Sequence, residues 1–491
     1  MAQHEIELIA TTGVFRGLAK QNMLFHQCIS ELIDNSIAQK KENISFEIEV
    51  IFQDKGDGKY GIYICDNGNG MDLEKLKSAL QLGKEPDPNS DRLHEHGFGL
   101  KNSLATLTRG NGFWKIWSKT KNSPVSSVQG PFGPTMILED DDKFPDDDFL
   151  PSDLSTIVYA ETSIDYIRTV QGRGGPTNDI FKLRRWLIEH LGVFYRGYLT
   201  QDPKTYEIDG VIRVSINKNR LRVNPVLVPY ANSTVEYVKV ELDGVEYDLE
   251  YEYGTLDEIK RDKLVHEEKT QFYYLKNIPT QGIDVRLGKR VLATAMLDSI
   301  WKTQDGKSQL NRHNDYNDFV GEIRIPNVPR GILTTVNNKT DFNLDDTGWV
   351  KIFEKLNTIK PPKTIREKTE KGLQNKWVEM LKATNPDETI SDERHVWPTG
   401  VRIDAYRKKE NGDIIIYELK VGSAQPIHLY QLLMYWDGLE IAGETPREAI
   451  LMVEDYSNTI EEMVSLINSE LKTKNGTSYN IKIEKHKDKG L

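Results

Sequence analysis

The strongest restriction on the fold of this chain lies at residues 60–71, where a short apolar stretch leads straight into a polar turn. Residues 60–65 (YGIYIC) have the length and composition of a buried strand, and residues 66–71 (DNGNGM) follow without a break. A strand that ends in Asp66 places one carboxylate where it can accept a hydrogen bond from an adenine amino group. Gly68 and Gly70 let the backbone pass close to such a base. A plain Asp-Asn-Gly turn is the alternative interpretation.

The segment before this strand predicts a long helix over Arg16–Lys40 with one polar and one apolar face. Glu31 and Asn35 are four residues apart and therefore share a helical face, while isoleucines repeat at the same spacing elsewhere. An amide oxygen is a hard ligand for magnesium, and a carboxylate can take a proton from an attacking water. The pair suits a magnesium nucleotide, although an ordinary amphipathic surface helix has the same pattern.

A glycine loop follows the turn along the chain. Residues 96–101 (HGFGLK) precede a helical run over 102–107. Such a loop presents backbone N–H groups and a helix N-terminus to an anionic phosphate. The order of the three motifs therefore indicates a nucleotide site that lacks a P-loop.

Taken together, the helix with Glu31 and Asn35, the DNGNGM turn and the GFGLK loop resemble the GHKL ATPase superfamily, which includes gyrase B, MutL, the heat-shock ninety chaperones and the MORC proteins. The resemblance implies a Bergerat-type α/β sandwich over residues 1–180 that binds ATP and magnesium. It implies that Glu31 is the general base, that Asn35 holds magnesium and that Asp66 reads adenine. The remaining pocket, lid and phosphate-contact positions implied by it are Gly68, Gly70, Met71, Gly97, Gly99, Leu100, Lys101 and Thr156.

Residues 181–358 predict a second α/β domain, in which a helical stretch over 180–198 is followed by strand-like runs. This block resembles the transducer domain of the same superfamily, most closely its MORC version. Residues 337–342 (NNKTDF) are similar to a MORC motif that bears a lysine. That likeness implies that Lys339 reaches the ATP γ-phosphate and supplies positive charge there. A solvated loop lysine is the alternative.

Pro361 and Pro362 interrupt the pattern, and residues 364–491 predict a third domain that begins with a charged helix. Two strands there, VRIDAY and IIIYELK, are joined by KKENGD and form a predicted hairpin. If the reversal is centred on Asn411, Asp404 lies opposite Glu418, and Lys420 shares a face with Glu418. This register requires an odd loop, so we expect a bulged loop of about three or five residues.

Two carboxylates around a hard cation, with a lysine beside them, suit phosphodiester hydrolysis. The arrangement resembles the PD-(D/E)xK nuclease superfamily and implies a restriction-endonuclease-like α/β domain. The resemblance implies that Asp404 and Glu418 bind the metal. Its pattern is met by Asp404, Glu418, Lys420 and the helical Gln431. An acid on the preceding helix, either Glu370 or Glu379, would complete the site. An ordinary surface hairpin with polar residues is the alternative.

Composition limits the remaining classes of protein. The chain has 491 residues, 64 basic and 75 acidic side chains and a formal net charge of −11, which argues against a generic nucleic-acid coat but allows a local basic groove. Its two cysteines exclude a disulfide framework and a Cys-rich zinc site. Without a signal sequence or an apolar run of ~18 residues, we expect a cytoplasmic protein and no membrane partner.

The whole sequence therefore predicts a multi-domain protein of α+β and α/β domains that acts as an ATP-gated, magnesium-dependent DNA nuclease. GHKL relatives dimerise over ATP, so we expect an ATP-dependent homodimer, with a role in antiviral defence or DNA repair as a hypothesis from the domain combination. The alternative is an ATP-switched DNA clamp whose nuclease-like domain does not cut. A histidine kinase would need an accessible phosphoacceptor histidine on a dimerising helix, whereas His26 lies within the ATPase helix.

Overall fold

The structure is a computed structural model that describes most of the chain in two compact units, Met1–Thr364 and Ile365–Leu491. Within the described ranges, no helix combines the length and the apolar character that a membrane span requires. The residues described are 12–20, 22–41, 46–82, 98–172, 175–202, 206–264, 272–302, 310, 314–329, 331–334, 346–362, 370–397 and 401–491.

The first unit begins with an eight-stranded mixed sheet in the order β5-β4-β3-β6-β2-β1-β7-β8. The central strands β1 and β2 are buried because they carry long apolar runs. Strand β7 pairs in parallel with β1, so the sheet continues beyond the predicted domain boundary at residue 180. The strands are β1 (Phe46–Gly56), β2 (Lys59–Asp66), β3 (Trp114–Ser118), β4 (Val125–Gln129), β5 (Leu138–Asp142), β6 (Thr156–Ser163), β7 (Gly210–Ile216) and β8 (Asn219–Arg222).

One face of this sheet is covered by helices, which bury their apolar residues in a single large core. Helix α2 lies at its centre and packs against α4 and α6 as well as against β1 and β2. The other face carries a smaller core around Tyr63 and Ile157, covered by the loop that contains Leu154. The helices are α1 (Thr12–Leu18), α2 (Phe25–Ile37), α3 (Leu73–Leu80), α4 (Gly99–Leu107), α5 (Ile164–Ile167), α6 (Ile180–Phe194) and α7 (Arg196–Leu199).

The prediction of one continuous helix over Arg16–Lys40 is wrong. The structure has two helices there, because Leu24 is extended at φ −82° and ψ 159° and interrupts the helical path. The Leu24 amide donates a hydrogen bond of 2.7 Å to Gln27 Oε1, which caps the second helix. The segment that carries Glu31 and Asn35 is therefore a separate short helix with its own start.

The rest of the first unit is built on a five-stranded mixed sheet in the order β12-β11-β13-β10-β9. Helix α9 packs against β9 and contributes Trp349 and Phe353 to the core. The elements are β9 (Tyr230–Leu242), β10 (Val245–Leu256), α8 (Glu258–Leu264), β11 (Gly282–Leu287), β12 (Arg290–Met296), β13 (Phe319–Ile325) and α9 (Thr347–Asn357).

The second unit is a three-layer α/β sandwich around a sheet in the order β14-β15-β16-β17-β18. Helices α11 and α12 share a core with one face of the sheet, and α10 shares a core with the other. Strand β16 is buried along its whole length, as its run of isoleucines requires. The elements are α10 (Glu370–Thr384), β14 (Thr389–His395), β15 (Arg402–Lys408), β16 (Ile414–Leu419), α11 (Pro426–Ile441), β17 (Pro446–Val453), α12 (Asn458–Glu470) and β18 (Ile481–Lys485).

Candidate functional site

Asp66 ends β2 and is held by two donors in a buried position. Its side chain is 4% exposed, and its oxygens accept hydrogen bonds from the Gly68 amide at 2.9 Å and from Ser36 Oγ at 2.8 Å. Burial raises the pKa of Asp66 to about 6, although both hydrogen bonds lower it. Thr156 is the direct partner of Asp66 in the β2–β6 ladder.

The turn after Asp66 is tied to the neighbouring strands at close range. Gly70 has φ +66°, and a Cβ there would lie 1.8 Å from the Lys119 carbonyl oxygen, so only glycine fits. The Met71 amide donates to Ser118 Oγ at 2.8 Å, and Ser118 shares a 2.9 Å hydrogen bond with Thr156. The backbone of the turn therefore has one well-defined path beside Asp66.

Helices α2 and α4 bring Glu31 against the first residue of α4. Glu31 is 3% exposed, and a Cβ on Gly99 would lie 2.1 Å from Glu31 Oε2. One turn along α2, Asn35 Nδ2 is buried without a hydrogen-bond partner among the described residues. Asn102 Oδ1 on α4 is likewise buried without a partner among them. Buried polar atoms of this kind indicate a site that a bound polar group completes. These residues fit a nucleotide with magnesium.

Lys101 is the one ionisable residue of α4, and it is 3% exposed. Burial lowers the pKa of Lys101 to about 8, because the charged ammonium loses its hydration. Leu100 is half-buried in the first turn of the same helix. Gly97 and Lys339, both predicted as ATP contacts, lie outside the described residues.

A cavity of about 450 Å³ reaches the end of β2 from the face of the sheet opposite α2. Asp66 lines it, whereas Glu31 and Asn35 do not. Two acidic side chains around it are paired with arginines, since Glu49 binds Arg220 and Glu47 binds Arg213. This cavity is therefore separate from the side of Asp66 that faces Ser36.

Comparison with known proteins finds a family match for the region that contains Glu31, Asn35 and Asp66. Residues 23–128 match the family described as histidine kinase-, DNA gyrase B- and HSP90-like ATPases. The chain contains a GHKL-type ATPase domain. It is also similar to Protein MICRORCHIDIA 4 of Arabidopsis thaliana, with 32% identity over 79 residues. That alignment covers 16% of this chain and 10% of the plant protein.

Beyond the GHKL ATPase domain, a second polar cluster lies in the C-terminal unit, on the β15–β16 hairpin. Lys408 pairs with Ile414 and Ala405 with Tyr417, a register that sets Asp404 opposite Glu418. The predicted register is confirmed, and the loop 409–413 between the paired ends has an odd number of residues, as expected. The Lys409 amide donates to the Asp413 carbonyl at 2.9 Å and closes a shorter loop over residues 410–412.

Asp404, Glu418 and Lys420 converge at the end of this hairpin. Glu418 is 1% exposed, and Lys420 Nζ lies 2.8 Å from Glu418 Oε1. The Leu419 amide donates to Asp404 Oδ2 at 2.9 Å. Burial and then the neighbouring Asp404 raise the pKa of Glu418 to about 7, against the effect of Lys420. Burial also raises the pKa of Asp404.

Helix α10 carries both acids predicted as candidates to complete this site, Glu370 and Glu379. Glu370 Oε2 lies 3.3 Å from Lys420 Nζ, whereas Glu379 is exposed. One turn after Glu370, Gln374 Nε2 donates to the Asp404 carbonyl at 2.5 Å. The geometry therefore brings Glu370, and not Glu379, to the cluster.

Helix α11 faces the same cluster. The Tyr435 hydroxyl interacts with Glu418 and lowers its pKa. Lys420 lowers the pKa of His428, after the larger effect of burial, and Glu370 opposes it. Gln431 lies between His428 and Tyr435 on one helical face, and its Oε1 is buried without a partner among the described residues.

Several residues of these sites escaped the sequence analysis. Gln374 stands one turn after Glu370, so helical spacing from a predicted residue could have indicated it. His428 lies one turn before Gln431 and could have been found in the same way. Ser36 directly follows Asn35 and points in another direction, so spacing did not relate it to Asp66. Ser118 had no such signal, because only the strand pairing brings it to the turn.

The C-terminal cluster meets part of the requirement for a metal centre. Glu418 Oε2 is buried without a hydrogen-bond partner among the described residues, and the half-buried carboxylate of Asp404 lies opposite it, a pair that suits a hard cation. Across those same residues, no group of three or more His, Cys, Asp or Glu side chains is arranged to hold a metal ion. Asp404 and Glu418 therefore fit as a pair of ligands to an ion whose other ligands come from elsewhere.

Proposed function

We propose that the chain is an ATP-gated, magnesium-dependent DNA nuclease. In this proposal residues 1–180 bind and hydrolyse ATP, residues 181–358 act as a transducer, and residues 364–491 cut phosphodiester bonds. The GHKL ATPase domain supports ATP binding and hydrolysis. The observation that carries the nuclease half is the convergence of Asp404, Glu418 and Lys420 at one end of the β15–β16 hairpin.

In the ATPase half, the Asp66 carboxylate accepts a hydrogen bond from the adenine amino group while Ser36 and Gly68 hold it in place. Glu31 takes the proton of the attacking water, and the amide of Asn35 would hold magnesium. Magnesium, when bound, neutralises phosphate charge. The Lys101 ammonium and the N-terminus of α4 attract the phosphates.

In the nuclease half, Asp404 and Glu418 would hold magnesium, and the metal would polarise the scissile phosphate and lower the pKa of a bound water. Lys420 would orient the attacking water or stabilise the developing negative charge. Glu370 keeps Lys420 charged and directed towards Glu418. Gln431 supplies a further hydrogen bond from α11.

Gating follows from ATP-dependent association. We propose that two copies come together when ATP is bound, that both nuclease units then engage one DNA duplex, and that hydrolysis releases them. Single-strand cuts made by two such units produce a double-strand break. A cytoplasmic setting in antiviral defence or DNA repair belongs to the same proposal.

A second function, an ATP-switched DNA clamp that does not cut, is favoured by one observation. The described part of the cluster offers only two acidic ligands, so it supports a metal less completely than a closed site would. Both functions share the ATPase half and differ only in metal-dependent cleavage.

The deciding experiment incubates purified protein with supercoiled plasmid and magnesium, in the presence of ATP or a non-hydrolysable analogue, and follows nicking and linearisation. We expect Lys420→Ala and Glu418→Ala to abolish cleavage while ATP turnover is retained. Glu410→Ala is the matched control, since Glu410 is an exposed acid in the loop of the same hairpin.

Cleavage that survives in Lys420→Ala would refute the assignment of the cluster. Binding of plasmid by the wild-type protein with ATP, without any magnesium-dependent nicking, would establish the clamp instead.

A further inference from the structure

Asp34 stands on α2 between Glu31 and Asn35, and it is completely buried. Its Oδ1 accepts two hydrogen bonds, one from the Tyr195 hydroxyl at 2.7 Å and one from Arg290 Nε at 3.1 Å. Asp34 stands three residues after Glu31 and directly before Asn35, so anchoring Asp34 fixes the rotation of α2 about its axis and with it the directions in which both side chains leave the helix. These two side chains are the proposed base and the proposed magnesium ligand.

The two donors come from distant parts of the first unit. Tyr195 follows α6, and its hydroxyl also lies 2.8 Å from the Ser30 carbonyl, so it contacts α2 at two successive turns. Arg290 begins β12 at the edge of the second sheet. Its guanidinium lies over the rings of Phe194 and Tyr195, at 4.8 Å and 4.6 Å from their centres.

The hairpin that presents Arg290 has little freedom to move. Its turn contains Gly288 at φ +57°, and the backbone of Lys289 packs so closely on α7 that a Cβ on Gly197 would lie 2.5 Å from the Lys289 carbonyl oxygen. The turn therefore has a fixed position against α7, and the position of the Arg290 guanidinium beside α2 depends on where β11 and β12 lie.

Arg196, the residue after Tyr195, contacts the second sheet instead of α2. Arg196 is 1% exposed, and its guanidinium binds Asp284 of β11 at 2.9 Å and Glu322 of β13 at 2.8 Å from Nε. Two consecutive side chains thus join α2 on one side and the second sheet on the other. Removing one partner of a buried ion pair leaves an uncompensated buried charge, so Arg196 and its two acidic partners must stay together.

We propose that Arg290 and Tyr195 are positioning residues for ATP hydrolysis, which hold Glu31 and Asn35 in place through Asp34 and make turnover depend on the placement of the second sheet. The inference rests on the proposed ATPase function of Glu31 and Asn35. Arg290 also interacts electrostatically with Glu31 itself, which is consistent with its place beside the proposed base.

The test uses the full chain and three readouts: kcat for ATP hydrolysis, the Kd of a non-hydrolysable ATP analogue, and hydrogen exchange of α2 without nucleotide. In Arg290→Gln we expect kcat to fall about tenfold to a hundredfold and the Kd to change less than about threefold, with faster exchange of α2. Tyr195→Phe, which removes only one hydroxyl, should lower kcat by a smaller factor. Lys239→Gln is the matched control, because this exposed lysine of β9 pairs with Glu246 of β10 within the second sheet and does not contact α2.

A double-mutant cycle separates this link from a general loss of structure. Asp34→Asn combined with Arg290→Gln should be no slower than the slower single variant, since both break the same connection. Wild-type kcat and unchanged α2 exchange in both Arg290→Gln and Tyr195→Phe would overturn the inference. Absence of ATP turnover in the wild-type protein would refute the proposed function, whereas α2 exchange would still report the link.

Discussion

Replacing Glu418 by glutamine tests the electrostatics of the proposed nuclease site without any assumption about its substrate. Glutamine has the shape of a protonated glutamate, so Glu418→Gln removes only the ionised form. Burial and Asp404 raise the pKa of Glu418 from 4.5 to about 7. A carboxyl group of this kind binds more protons in the folded state than in the unfolded state, so stability falls as pH rises between these values and stays low above them.

The magnitude follows from the same shift. The interval from 4.5 to about 7, at ~1.4 kcal/mol per pH unit, corresponds to about 3 kcal/mol. Glu418→Gln should therefore stabilise the C-terminal unit by about 3 kcal/mol near pH ~8 in EDTA, and by less than about 1 kcal/mol near pH ~5. Magnesium should stabilise the wild-type unit and have much less effect on the variant.

The assay is hydrogen exchange of β16 peptides in the full chain, corrected for the intrinsic pH dependence of exchange. Glu410→Gln controls for the loss of one negative charge, because Glu410 is an exposed acid in the same hairpin. A variant that is less stable than the wild type near pH ~8, or equally stabilised at both pH values, would refute the reasoning from burial and charge repulsion.

Three further predictions concern the ATPase domain. Glu31→Gln should bind a non-hydrolysable ATP analogue within about threefold of wild type but lose at least about a hundredfold in kcat, and equal turnover in a phosphate-release assay would remove Glu31 as the base. Because the protonated form of Lys101 attracts phosphate and burial lowers its pKa to about 8, analogue affinity should fall as pH rises through about 8. Titration calorimetry should find that Lys101→Met lacks this pH dependence. Gly70→Ala should destabilise the domain by about 2 kcal/mol or more in thermal unfolding, clearly more than Gly56→Ala, where φ is also positive but no atom lies within 4 Å of the new Cβ.

The fold was most predictable where local pattern and long-range pairing agree. The register of the β15–β16 hairpin was predicted on the condition that the chain reverses at Asn411, and the observed pairing meets that condition. An even loop would have shifted the register by one residue and moved every side chain to the other face. Asp66 and the turn after it followed from the same kind of reasoning, since a buried strand must end where polar and glycine residues begin.

The break between α1 and α2 could not be predicted from periodicity, because the apolar and polar residues of 16–40 suit a continuous helix. The Leu24 amide donates a hydrogen bond to the Gln27 side chain, and this contact caps α2 at its start. The partners of Asp34 on α2 could not be predicted either. Tyr195 and Arg290 are 161 and 256 residues from Asp34 in sequence, and no local signal relates them. Their contacts follow from the packing of α6 and of the second sheet.

The choice between Glu370 and Glu379 shows a signal that the sequence does contain. The two acids are nine residues apart, which is about two and a half helical turns, so they point in opposite directions. The apolar residues of α10 that reach the core include Leu373, Trp377 and Leu381, and Glu370 continues this stripe backwards by one turn. Glu370, in line with the buried stripe, reaches the sheet, and its Oε2 lies 3.3 Å from Lys420 Nζ. Glu379, on the opposite side of the helix, faces solvent. The angular position of each acid relative to the apolar stripe of α10 therefore favours Glu370 as the acid that completes the proposed nuclease site.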